Sequence, residues 1–70
     1  MNRSKVTSSS IAEIGYDRDQ KILEIKFNVG TVYQYHEVPE DAYIMLITAD
    51  SHGQYFNAHI RDAYTTVKIG

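Results

Sequence analysis

The sequence predicts an α+β domain: a three-stranded antiparallel β-meander followed by two α-helices packed on one sheet face, with a short C-terminal strand or an extended tail after them. Three observations lead there. Apolar and polar residues alternate through residues 10–16 and again through 21–28, the period of half-buried strands. Pro39 is followed by apolar residues at helical spacing. Ser51-His52-Gly53-Gln54 then has the form of a capping box, which opens a second helix.

Residues 1–9 carry no hydrophobic period and are rich in Ser, Thr, Asn and charge, so they read as a flexible N-terminal arm to a single domain over residues 10–70. In the first strand Ala12, Ile14 and Tyr16 share one face, and Ile11, Glu13 and Gly15 the other. Asp17-Arg18-Asp19-Gln20 reads as the turn. With that loop Tyr16 pairs with Lys21, Ile14 with Leu23 and Ala12 with Ile25, which puts Leu23, Ile25 and Phe27 on the same face as the first apolar set. Asn28-Val29-Gly30 fits a three-residue hairpin loop with its glycine in a left-handed conformation. The third strand then sets Thr31 opposite Phe27, Tyr33 opposite Ile25 and Tyr35 opposite Leu23.

Pro39 suits the first position of the first helix, and Glu40 and Asp41 suit the positive end of its dipole. Ala42, Tyr43, Leu46, Ile47 and Ala49 form its stripe, broadened by Ile44 and Met45. In the second helix Tyr55, Phe56, His59, Ile60, Ala63 and Tyr64 lie on one side, with Gln54, Asn57, Ala58, Arg61 and Asp62 on the other. Thr65 to Ile69 is β-branched enough for a strand or a tail.

Composition bounds the function. A chain of 70 residues is one domain, and at this size folding buries only about 60% of the unfolded surface. The absence of cysteine removes disulfides, thiolate catalysis and cysteine-ligated zinc. No apolar run reaches membrane-spanning length, and the first residues lack a signal-peptide core, so a cytoplasmic protein is expected. A formal charge of −2 opposes broad phosphate-backbone binding unless the basic residues cluster.

The strings Val6-Thr7-Ser8-Ser9-Ser10-Ile11, Ile14-Gly15-Tyr16-Asp17, Gly30-Thr31-Val32-Tyr33-Gln34-Tyr35, Val38-Pro39 and Ser51-His52-Gly53-Gln54-Tyr55-Phe56-Asn57, on through Ile60-Arg61 to Tyr64, resemble the KTSC domain. That family is named for the C-terminus of some lysyl-tRNA synthetases and also occurs as free-standing small proteins of bacteria and phages. Tyr33 and Tyr35 match its central Tyr-x-Tyr. The resemblance implies a binding domain with RNA as the ligand class. It also implies a proline and an aromatic, arginine-rich tail after the last tyrosine, where this chain has Thr65-Thr66-Val67-Lys68.

The candidate chemistry follows from these placements. Aromatic side chains on an open sheet stack single-stranded bases, but Tyr33 and Tyr35 share a face with Ile14, Leu23 and Ile25, where core packing is the competing reading. Arg61, Asn57, Lys26, Lys5 and Arg3 are candidates for phosphate contacts, with an exposed tyrosine such as Tyr55 or Tyr64 for stacking. Ser51, Gly53 and Gln54 at the second helix start, with Asn57 and Arg61, form a candidate anion site; a plain helix cap is the bland alternative, and Asp50 beside it repels anions. His36, His52 and His59 lack metal-site spacing. No serine sits in a nucleophile motif, and Glu40-Asp41 and Asp17 with Asp19 fit a helix start and a turn, so no catalytic residue, metal or cofactor is expected.

The expectation is therefore a non-catalytic binding domain for RNA. Its rivals are a homo-oligomer that captures a nucleotide or other phosphorylated small molecule at Ser51 to Gln54, and a protein-interaction module. Ile11, Ile22 and Val32, expected on the outer sheet face, would serve self-association.

Overall fold

The computed structural model describes Met1–Gly70. Its strands are β1 (Arg3–Lys5), β2 (Ile11–Asp17), β3 (Ile22–Phe27), β4 (Val32–His36) and β5 (Thr65–Lys68), and they lie side by side in chain order, all antiparallel. Between β4 and β5 come α1 (Glu40–Thr48) and α2 (His52–Tyr55), the latter running directly into a π-helical turn over Phe56–Ile60. The predicted meander is β2-β3-β4, and the sheet gains a strand at each edge. β5 resolves the C-terminal alternative as a strand, while β1 comes from the segment read as an arm and pairs Arg3 with Gly15 and Lys5 with Glu13.

The β3–β4 register is as predicted, with Leu23 opposite Tyr35 and Ile25 opposite Tyr33. Gly30 closes that hairpin at φ +102°, a conformation that L side chains rarely adopt. The β2–β3 register differs from the expected one: Tyr16 pairs with Leu23 and Ile14 with Ile25. The turn is Arg18 to Lys21 rather than Asp17 to Gln20. Asp17 Oδ1 accepts the amides of Asp19 and Gln20 at 3.0 and 3.1 Å, and Lys21 closes the loop in the left-handed region at φ +57°. Moving the loop by one residue shifts the pairing by two, so the apolar face survives.

Ile11 corrects a second expectation. The pairing steps from Ile11–Phe27 to Glu13–Lys26, leaving Ala12 as a β-bulge. A bulge breaks the two-residue alternation, so Ile11 turns inward and is fully buried. Val32 is also buried, under the chain end, whose Gly70 and Ile69 amides donate to its carbonyl. Ile22 is half-buried. The outer-face patch expected to drive self-association is therefore not an exposed one. Exposed apolar side chains lie on α1, at Ile44, Met45 and Ile47, and elsewhere at Met1, Val29, Val67 and Ile69.

Pro39 stands at the N-cap of α1 rather than in its first turn. Leu46 is the buried anchor of the helix, and Tyr43 stacks on Tyr16 at 4.7 Å between centroids. Tyr16 Oη donates to the Val38 carbonyl at 2.5 Å, tying β2 to the loop that launches α1. The π turn contributes Phe56 and Ile60 to the core, where Phe56 meets Phe27 and Tyr35 edge to face.

Tyr35 thus lies under the helices, and burial pushes its hydroxyl pKa up from 10.0 to about 12. The neutral phenol is favoured in the fold, so its contribution is fully present below pH 10 and is lost as the pH rises towards 12. Unfolding free energy should fall across that window, in step with tyrosinate absorbance. In Tyr35→Phe the decline should be shallower, and an equal decline in both proteins would contradict this assignment.

Candidate functional site

The helices close one sheet face and leave the other open. By the strand registers, Arg3, Lys5, Glu13, Glu24, Lys26, Gln34, His36, Thr65 and Val67 lie on the open face. It carries no Tyr or Phe, because Tyr16, Phe27, Tyr33 and Tyr35 all pack against the core beneath the helices. Base stacking on Tyr33 and Tyr35 has no open surface.

Three of the candidate phosphate contacts fall on this face. Arg3 is already committed: Nε donates to Glu13 Oε1 at 2.8 Å, and Nη1 to Glu24 Oε2. Gln34 Nε2 donates to the other oxygen of Glu24 at 2.9 Å. Glu24 is only 7% exposed, and a charge so far from water requires such partners. These bonds raise the Arg3 pKa, and the Arg3 hydrogen bond holds the Glu13 carboxyl below its ordinary value. Lys5 and Lys26 flank Glu13. The Arg3 ion pairs pin β1 to the sheet, and Lys5 and Lys26 stand beside Glu13 without an ion pair of their own.

The other candidate residues gather on the opposite side. The loop at Ser8 to Ser10 and the helix start at Gly53 are far apart in sequence and meet in space. Ser8 Oγ accepts the amides of Ser10 and Ile11 at 3.2 and 3.3 Å, while Asn28 holds the loop through its amide to the Ser10 carbonyl at 2.8 Å and Nδ2 to the Ser8 carbonyl at 3.0 Å. The loop rests on Gly53, where a Cβ would come within 2.7 Å of Ser10 Oγ. The glycine therefore serves close packing of the chain on itself. Ser51 Oγ accepts the Gln54 amide at 3.2 Å as the N-cap, and His52 Nδ1 donates to the Leu46 carbonyl at 2.9 Å, joining α2 to α1. At Ser51 and Gly53 the cap reading accounts for both residues.

Beyond Gly53 the segment is exposed between its core anchors, with Tyr55 packed against the core. The predicted regular helix becomes a π turn, closed by the Arg61 amide on the Phe56 carbonyl at 2.9 Å, five residues back. Widening the turn lets Phe56 and Ile60 both reach the core, and it leaves Asn57, Ala58 and His59 exposed. Half-buried Tyr55 lies against the His59 ring at 4.5 Å, tilted by 37°. Arg61 is exposed and takes part in no ion pair, unlike Arg3 and Arg18, which are bound to Glu13 with Glu24 and to Glu40. Tyr64 is half-buried against the core. The structure thus brings Gln54, Tyr55, Asn57 and Arg61 onto one segment and places Arg3, Lys5 and Lys26 on the other side of the sheet. The sequence placed His59 on the same side of the second helix as Tyr55 but gave it no part in ligand binding; the four-residue spacing of the two rings on one helix was the available signal.

These features define a one-sheet α+β domain, with helices sealing one face and a ring-bearing π turn at the surface. The chain belongs to the KTSC domain family, whose model matches residues 7–64. A crystal structure of a KTSC domain protein from Yersinia pestis superimposes with a TM-score of 0.93 at 43% identity, covering 99% of this chain and 97% of that one. An uncharacterized protein of Stutzerimonas stutzeri is 44% identical over 57 residues, or 81% of this chain and 80% of its own length. A lysine–tRNA ligase of Nostoc punctiforme is 35% identical over 60 residues, which are 86% of this chain and 11% of the ligase.

Proposed function

We propose that this domain is a non-catalytic RNA-binding module that meets its ligand on the π turn. The observation that carries this reading is the close, tilted Tyr55–His59 ring pair beside Asn57 and the unpaired Arg61. Rings stack on any base, an arginine takes a phosphate, and an exposed amide reads a base edge, so a single-stranded ligand finds its three recurrent contacts within two helical turns. The ligase relative supports the ligand class, since a KTSC-like segment there accompanies a protein named for tRNA. The net charge of −2 favours a short, local contact rather than a wrapped duplex.

Binding of a mixed single-stranded RNA pool should be detectable at about 50 mM salt and weaken steeply as salt rises, because phosphate neutralisation releases counterions. Loss of the ring in Tyr55→Ala removes a stacking contact worth about 1–3 kcal/mol. Arg61→Ala should lower the affinity and flatten the salt dependence. No binding at the lowest salt, or binding indifferent to both substitutions, would overturn the proposal.

A further inference from the structure

The sheet ends on two free edges, the outer sides of β1 and β5. An edge strand presents a row of unpaired N–H and C=O groups, and proteins blunt such edges with short strands and charge. β1 is blunted in both ways. It has three residues, and two copies laid antiparallel about Ser4 would set Arg3 against Lys5. β5 is not blunted. Its four residues are all exposed and Lys68 is the one charge among them, while Val67 and the following Ile69 are 44% and 50% exposed. The bonds to β4 fix the direction of its backbone groups. The Ile69 amide donates to the Val32 carbonyl at 2.9 Å, and in the same register Val67 and Thr65 stand opposite Gln34 and His36. Every second residue of an antiparallel strand bonds to the same neighbour, so the N–H and C=O groups of Thr66 and Lys68 point outward from the sheet.

These outward groups and the side chains between them are self-complementary. We propose that β5 pairs antiparallel with β5 of a second copy of this chain, about a two-fold axis at Val67, so that one sheet runs through both copies. In that register Thr66 of each copy and Lys68 of the other form hydrogen-bonded pairs that satisfy the outward groups. Val67 meets its own counterpart in the non-hydrogen-bonded pair at the axis, where side chains stand closest, and Ile69 meets Thr65 of the other copy on the same face. Three β-branched pairs thus cover the exposed apolar side chains. No like charges face each other, whereas an axis at Lys68 would oppose the two lysines. Because one patch serves both partners, the pairing closes at two copies; β5 set against β1 would leave an edge at each end and run on as a filament. The axis stands perpendicular to the sheet, so both helical layers, with their π turns, lie on one side. The pairing itself needs no RNA and is tested without it.

Sedimentation across a concentration series should show association up to twice the 8.0 kDa chain mass and no further. The chain has no cysteine, so single introduced cysteines report the register. A non-hydrogen-bonded antiparallel pair has Cα atoms about 4.5 Å apart, within the range that a disulfide spans. Val67→Cys should therefore oxidise readily to a covalent dimer that thiol reductants separate. Thr65→Cys, displaced four positions from its own counterpart, should not. Lys68→Pro removes one outward amide of each copy and no bond to β4, a place where an edge strand tolerates proline. It should weaken association about tenfold or more, since the symmetry removes two hydrogen bonds, while melting of the dilute protein stays that of the parent. A monomer at millimolar concentration, equal cross-linking at both positions, or association indifferent to Lys68→Pro would overturn the proposal.

Discussion

Phe56→Ala should abolish stable folding of this chain at room temperature. Phe56 joins the helical layer to the sheet. Its ring meets Phe27 at 5.3 Å and Tyr35 at 5.5 Å between centroids, both edge to face, and it is 5% exposed. Removing a buried phenylalanine costs about 3–5 kcal/mol in transfer and cavity terms. At about 0.05–0.15 kcal/mol per residue, a domain of this size has only about 4–10 kcal/mol in total. The aromatic pairs add about 0.5–1.5 kcal/mol each beyond burial. Chemical denaturation should therefore show a transition displaced to very low denaturant or already complete without it. A cooperative transition near that of the parent protein would mean that the π turn is not anchored as described.

Gly15→Ala should release β1 from the sheet. A Cβ at Gly15 would stand 2.9 Å from the Asn2 carbonyl oxygen and 2.9 Å from Arg3 Cγ, so the N-terminal backbone itself must move. Overpacking of this kind costs about 1–3 kcal/mol. The displacement also takes the Arg3 guanidinium from Glu24, leaving a nearly buried carboxylate with Gln34 as its remaining side-chain partner, and an unpaired buried charge is itself destabilising. Melting should fall, and trypsin should cleave after Arg3 and Lys5 much faster than in the parent. A variant with unchanged melting and unchanged cleavage would contradict the account of β1.

What the sequence made legible, and what it hid, follows the range of the interactions. The β3–β4 hairpin could be read because Asn28-Val29-Gly30 fixes its register locally through the left-handed Gly30. The Ser51 cap was equally local. The β2–β3 register depended on which residue of a polar run, Gln20 or Lys21, would end the loop, and Lys21 has no chemical signature for its positive φ. The bulge at Ala12 carries no glycine or proline to announce it, so the inward turn of Ile11 was hidden. β1 has no apolar alternation because cross-strand ion pairs hold it, to residues ten and twenty-one positions away. At the candidate site, Tyr55, Asn57 and Arg61 were identified by type, but their separation from Arg3, Lys5 and Lys26 by the thickness of the sheet is a property of the assembled fold. The π turn was hidden because its five-residue spacing serves Phe56 and Ile60 in the core rather than a pattern repeated along the chain.

Titration of the isotopically labelled protein with mixed single-stranded RNA at low salt decides whether the π turn is the RNA contact, because it reports every residue that meets the ligand. Shifts should be confined to Gln54 through Arg61 with the loop at Ser8 to Ser10, and the open sheet face around Lys5 and Lys26 should remain unmoved. A map centred on that sheet face, or no map at all, would contradict it.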